Sequence, residues 1–220
     1  MSELLREGGP FVWVLLVCSV IALAVILDRG WALRRPIVLP AEVLVPMLRS
    51  GNPHELNALK AVCEARPSAL SRLLMTAIEN LRWSKEENST ALEVKARQEV
   101  VFLERGLVAL EIIVGIAPLL GLVGTIYGII PLFGDFGKAV GGDNSLLARG
   151  IAAALNKTLL GLIVAIPSLV AWSYFNKKVE ALAVDLEAHC DLFLRRIYLG
   201  DSTASMDPNV PVVVSIPPLA

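Results

Sequence analysis

Residues 117–133 read APLLGLVGTIYGIIPLF, seventeen positions without a charge but with three glycines, two prolines, a tyrosine and a lone threonine. They lie inside a longer uncharged segment, residues 112–134. A helix rising ~1.5 Å per residue needs about 20 apolar residues to cross the ~30 Å hydrocarbon core of a bilayer, so this segment is long enough to span one. Glycine is a weak helix former in water, yet small residues are favoured where membrane helices cross, because lipid supplies no hydrophobic force to hold helices together and close backbone approach must do so. Pro118 and Pro131 are tolerable because neighbouring helices or water satisfy the carbonyls that proline frees. The glycines therefore predict a close helix crossing, and the hydroxyl of Thr125 predicts a polar surface beside it.

Two further uncharged runs have the required length. Residues 8–27 read GGPFVWVLLVCSVIALAVIL and stop at Asp28 and Arg29; residues 158–176 form the third run, which extends back to Gly150 if Lys157 is tolerated. With 55% hydrophobic residues and a mean hydropathy of +0.64, the chain carries more apolar surface than a soluble domain of its size buries. The fold expected is an all-α integral membrane protein with three transmembrane helices, two of them extended into a cytoplasmic helical bundle. Its segments are an amino-terminal segment with the first span (1–27), a cytoplasmic helical region (28–110), a second span (111–134), an external loop (135–149), a third span (150–176), a cytoplasmic helix (177–199) and a disordered tail (200–220). Arg29, Arg34 and Arg35 follow the first span while only Arg6 precedes it, which places the amino terminus outside and the carboxyl terminus inside. The opening MSELLREGG lacks a basic region and no small-residue cleavage site closes the first run, so that run reads as a retained anchor.

Several function classes are excluded. The 20 Lys and Arg against 21 Asp and Glu give a net charge of −1, with no electrostatic footprint for nucleic acid. Cys18, Cys63, Cys190, His54 and His189 follow neither a disulfide nor a metal-site pattern. No phosphate loop, HExxH or GxSxG motif is present, so the reading is of a non-enzyme with no catalytic residues, no metal and no cofactor.

The polar region after the first span reads as helical. Asn52 and Pro53 mark one helix start, Ser84 and Glu87 have capping-box spacing, and no breaker follows until Gly106, so one long helix is expected from about residue 85 through the second span. Val179, Leu182, Leu186, Cys190, Phe193 and Ile197 make an apolar stripe beyond the third span, and Val94, Val101 and Val108 are candidates for a matching seam.

Thr125 lies nine residues before Gly134, and Thr158 nine after Arg149, so antiparallel spans place both hydroxyls at a similar depth, about 13 Å below the external surface. Pro118, Gly121, Thr125 and Gly128 share one helix face; Ala154, Thr158, Gly161, Ala165 and Ser168 share another. With Gly124 and Pro167 these small residues and prolines are the candidates for close packing. The threonines have two readings, a hydroxyl bonded to its own helix or a neighbour, and a pair lining a polar cavity as part of a hydrogen-bond relay. Lys157 also has two, snorkelling toward the external loop or standing as a charge at a pore mouth.

The runs at 8–29, 117–133 and 150–172, in that order, resemble the MotA/TolQ/ExbB proton-channel family, closest to its ExbB-like members. The blocks carrying the resemblance are APLLGLVGT, ending at Thr125, and KTLLGLIVAIP, from Lys157 to Pro167. The resemblance implies a multi-pass protein of the bacterial inner membrane, with a periplasmic amino terminus and a cytoplasmic carboxyl terminus. It implies a homo-oligomer, a pentamer, enclosing an ExbD- or TolR-like single-span partner whose membrane aspartate carries protons, with a TonB-like protein as a further partner. Thr125 and Thr158 match the family's pore-lining threonines. Proton motive force would then drive transport or envelope work; the alternative is a non-conducting membrane scaffold that assembles a partner complex. Two departures stand out: Ala153 occupies a position often held by glutamate, and Lys157 one usually held by a small residue.

Overall fold

A computed structural model describes residues 9–50, 53–136 and 144–198. Among them the secondary structure is entirely helical: α1 (Gly9–Ala32), α2 (Arg35–Val38), α3 (Ala41–Arg49), α4 (Pro53–Ala65), α5 (Ala69–Glu79), α6 (Lys85–Glu104), α7 (Leu107–Phe136) and α8 (Asn144–Tyr198). Three stretches are long and apolar enough to cross a membrane: Pro10–Ala32, Leu107–Gly134 and Ala148–Tyr198. The chain is an all-α, multi-pass membrane protein. Asn52, part of the expected loop and the tail beyond residue 198 lie outside the described residues.

The long helix expected from residue 85 through the second span is broken. Gly106, at φ +91°, ends α6, and α7 starts at the next residue. The left-handed conformation costs an L-residue roughly 1–2 kcal/mol and glycine almost nothing, so this glycine acts as a C-terminal helix stop. Arg29, at the foot of α1, pairs with Asp28 at 2.9 Å and lies against the break: a Cβ on Gly106 would stand 3.3 Å from its Nε.

The chain divides into two compact units. The first comprises residues 1–39 and 96–185. Here α1 packs along α7, burying Val12, Leu15 and Ala22 on α1 and Leu110, Ile113 and Ala117 on α7; α8 contributes Ala154, Ala165, Phe175 and Val179. The outward faces stay apolar, with Val17, Leu119, Ile163 and Val170 exposed. In water such a surface would be a liability; in lipid or against other subunits it is the expected one. Arg35 and Asp185 form an ion pair at 2.7 Å.

The second unit comprises residues 40–95 and 186–220. Its core contains Val43, Met47, Leu59, Leu70, Leu73, Leu74, Leu92, Leu186 and Phe193. Ser68 caps α5 by accepting from the Ser71 amide at 3.1 Å. Ser84 and Glu87 form the reciprocal box: the Ser84 amide donates to Glu87 Oε2 at 3.0 Å, and the Glu87 amide donates to Ser84 Oγ at 3.2 Å. Asn88, fully buried, donates to the Ala77 carbonyl at 3.0 Å and to Tyr198 Oη at 2.9 Å, while Tyr198 donates to the Trp83 carbonyl at 3.1 Å. The end of α8 is thereby fastened to the α5–α6 turn.

The valine seam does not form within the chain. Val94, Val101 and Val108 are 55%, 66% and 59% exposed, and the buried stripe is Asn88, Leu92, Ala96 and Glu99 instead. At ~100° per residue, Val94 falls on the face opposite Leu92 and Ala96. The stripe expected on α8 is buried from Val179 to Phe193, and Ile197 is half-buried.

Candidate functional site

The small residues on α7 and α8 meet at one point. A Cβ on Gly121 would stand 3.0 Å from the Lys157 carbonyl oxygen and 3.0 Å from Thr158 Cα; one on Gly161 would stand 2.6 Å from the Ala117 oxygen and 3.1 Å from Gly121 Cα. Two backbones lie in contact there, and any side chain would have to displace one of them. This is the crossing that glycine makes possible and that every larger residue widens.

The threonines flank the crossing, and the structure brings them together. Thr125 is buried and Thr158 half-buried, and their hydroxyls are hydrogen-bonded to each other. Thr125 Oγ1 also lies 3.1 Å from the Gly121 oxygen and 3.2 Å from the Ala154 oxygen, and Thr158 Oγ1 lies 3.3 Å from the Gly121 oxygen. Two hydroxyls hold two protons, and both can be placed in two ways. Thr158 donates to Thr125 while Thr125 donates to a carbonyl, or Thr125 donates to Thr158 while Thr158 donates to Gly121. Each hydroxyl both donates and accepts, so the pair can reverse direction by rotating two O–H bonds, without any group titrating.

The remaining candidates separate. Gly124 and Gly128 face side chains first, and the nearest backbone atom of α8 to a Gly128 Cβ is Ala154 Cα at 3.8 Å. A Cβ on Gly124 would lie 3.4 Å from Lys157 Cβ and 3.5 Å from its Cδ, and one on Gly128 would lie 3.0 Å from Lys157 Nζ and 3.4 Å from Ala154 Cβ. The lysine stem runs along these two glycines, with its ammonium toward the Phe136 end of α7. Lys157 is 9% exposed. Ala154 and Ala165 are buried, Pro118 is half-buried and Pro167 is exposed. Ala153 is half-buried, and Glu111 is exposed at the far end of α7.

Three features escaped the sequence reading. Phe11 of α1 reaches the same place, its Cβ 3.5 Å from the position of a Gly124 Cβ and its ring edge-on to Tyr127 at 5.6 Å between centroids. Nothing in the sequence ties a phenylalanine near the amino terminus to Gly124. The Ala154 carbonyl serves as an acceptor for Thr125, which spacing along one helix cannot reveal. The i,i+4 pair Gly124 and Gly128 opposite Ala154 and Lys157, spaced i,i+3, was a usable signal: a groove on one helix facing a long stem on the other. Among the described residues no group of His, Cys, Asp and Glu could hold a metal ion.

Residues 65–188 match the model of the MotA/TolQ/ExbB proton channel family. A Synechocystis sp. protein named as a biopolymer transport protein, ExbB-like 1, is 32% identical over 78% of this chain and 68% of its own length. Biopolymer transport protein exbB1 of Vibrio cholerae is 24% identical over 97% of this chain and 94% of its own. The Tol-Pal system protein TolQ of Haemophilus influenzae is 31% identical over 47% of this chain and 45% of its own.

Proposed function

Because this chain belongs to the MotA/TolQ/ExbB proton channel family, we propose that it is the oligomeric proton-channel subunit of an inner-membrane energy-transducing motor. It works with an ExbD/TolR-like single-span partner, and proton motive force drives transport or envelope work through that partner. The observation that carries the reading is the Thr125–Thr158 hydroxyl pair, held between two spans and able to reverse its hydrogen-bond direction. The uncharged runs 8–27, 112–134 and 158–176 hold no carboxylate and Glu111 lies at the edge of the second span, so the group that binds and releases the proton comes from the partner's membrane helix. The hydroxyls steer it and exchange hydrogen bonds with it. A pentamer around the partner, a periplasmic amino terminus and a cytoplasmic carboxyl terminus complete the proposal, with a TonB-like protein as a recipient of the work.

One observation favours the second reading, a non-conducting scaffold. Thr125 and Thr158 find all their acceptors within the chain, as packing threonines do. Proton flux into liposomes separates the two, measured with the chain and its partner and compared among wild type, Thr125→Ala and Thr158→Ala at equal assembly. The channel reading expects flux that requires the partner and falls in both variants. Intact complexes without partner-dependent flux would establish the scaffold; undiminished flux in both variants would return the threonines to packing.

A further inference from the structure

Lys157 sits in a slot built to its shape. Its stem lies along Gly124 and its ammonium at Gly128, where a Cβ would come within 3.0 Å of Nζ; Ala154 and Phe11 adjoin the same two glycines. The residue is 9% exposed. A cation so enclosed, in a segment bathed by hydrocarbon, is costly unless an anion or water meets it. Among the described residues no hydrogen bond or ion pair reaches this ammonium. The remaining 9% exposure leaves part of the side chain open to its surroundings.

Depth decides what the open side can meet. Gly128 stands six residues inside Gly134, about 9 Å along the helix. An ion pair closes only within roughly 4 Å, so a lipid phosphate at the membrane surface is out of reach without deforming the bilayer. A second copy of this chain offers no carboxylate at that level, because the uncharged runs contain none. A carboxylate carried on another protein's membrane helix meets the requirement of both charge and depth.

We infer that Lys157, in the Gly124–Gly128 slot, is a docking site for an ionised carboxylate on the membrane helix of a partner, about one helical turn external to the Thr125–Thr158 pair. The inference rests on the reading that a partner acid carries the proton, and it assigns that acid a resting station. Held there, the carboxylate is ionised, because a neighbouring ammonium favours the charged form. A proton arriving from the external side binds a carboxylate oxygen, Lys157 keeps its own proton, and the attraction between the two groups is lost. The neutral acid is then free to move one turn inward, to the hydroxyls.

The test uses the full chain in phosphatidylcholine nanodiscs. The probe is a fluorescent single-span Leu/Ala peptide bearing one Asp six residues inside its external end, and the control is the same peptide with Asn. Binding is read by energy transfer at pH 8. The wild type is expected to bind the Asp peptide about tenfold more tightly than the Asn peptide. The preference should vanish in Lys157→Gln and persist in Lys157→Arg. Equal binding of the two peptides by the wild type, or a preference that survives Lys157→Gln, overturns the inference. Lys157-dependent binding of labelled phosphatidylglycerol with no preference between the peptides also overturns it and makes the slot a lipid site. Partner-dependent flux without the peptide preference removes this inference alone; the preference without flux removes the channel reading and leaves the dock.

Discussion

Replacing Gly161 by alanine adds one methyl group at the point where α7 and α8 touch. That methyl would stand 2.6 Å from the Ala117 oxygen and 3.1 Å from Gly121 Cα, both backbone atoms that cannot rotate away. A carbon–oxygen contact relaxes at roughly 3.3 Å or more, so the helices must separate locally by about 0.7 Å. The Thr125 to Ala154 hydrogen bond, now 3.2 Å, would lengthen to about 3.9 Å, beyond hydrogen-bond range. Overpacking costs ~1–3 kcal/mol, and each interhelical bond lost costs ~0.6 kcal/mol. Alanine's better helix propensity returns roughly 0.5–1 kcal/mol. The net expectation is a loss of about 1–3 kcal/mol, measured by denaturant titration in mixed micelles. Gly115→Ala is the matched control, since nothing lies within 4 Å of a Cβ there, and it should be neutral or slightly stabilising. A Thr125→Cys, Thr158→Cys pair should form a disulfide readily with Gly161 and poorly with Gly161→Ala. Equal stability of the Gly161→Ala and Gly115→Ala proteins, together with unimpaired crosslinking, would refute the backbone contact on which the hydroxyl geometry depends.

Gly106→Ala should cost about 1–2 kcal/mol in the same titration, because alanine must adopt φ +91° there and crowd Arg29 Nε at 3.3 Å; an unchanged midpoint would mean that α6 and α7 join as one continuous helix. Tyr198→Phe removes the hydroxyl that accepts from Asn88 and donates to Trp83, and about 1 kcal/mol of stability should go with it, read most directly as faster proteolysis near the α5–α6 turn. Burial first, then the neighbouring Glu187 carboxylate, push the Cys190 thiol up from 9.0 to about 12. At pH 8 its thiolate fraction is therefore about a thousandfold below that of an ordinary cysteine, and iodoacetamide should label it only after unfolding. The sign for stability follows. A raised thiol pKa contributes fully below pH 9.0 and its contribution is lost as pH climbs toward 12, so alkaline destabilisation in that window should be smaller in Cys190→Ala.

The membrane helices were legible because a run of about 20 apolar residues without a charge matches the thickness of a bilayer core, and charge is counted directly from sequence. Depth was legible too: counting inward from the two span ends that flank residues 135–149 put Thr125 and Thr158 level, and the structure joins them. Facing was harder. Gly121 and Gly124 are equally small, yet one touches a backbone and the other a lysine stem; which occurs depends on the crossing angle, a property of two helices that neither encodes alone. The break at Gly106 was missed because a glycine in a helical pattern either continues at a modest cost or stops the helix, and the tertiary contacts around Arg29 lie outside its local sequence. The valines misled for a related reason. A spacing of seven implies a common face, but not that the face is the buried one.

Lys157 also bears on assembly numbers. Every copy of the chain adds one ammonium to the membrane interior and no carboxylate. In the proposed ring the positive charge would therefore grow in direct proportion to its subunits, while the compensating negative charge would grow only with the number of partner helices. A ring with more subunits than partner acids could not neutralise all its ammoniums at once. Its ground state would then be asymmetric, with occupied and vacant stations side by side, and a carboxylate released from one would have an equivalent vacancy beside it.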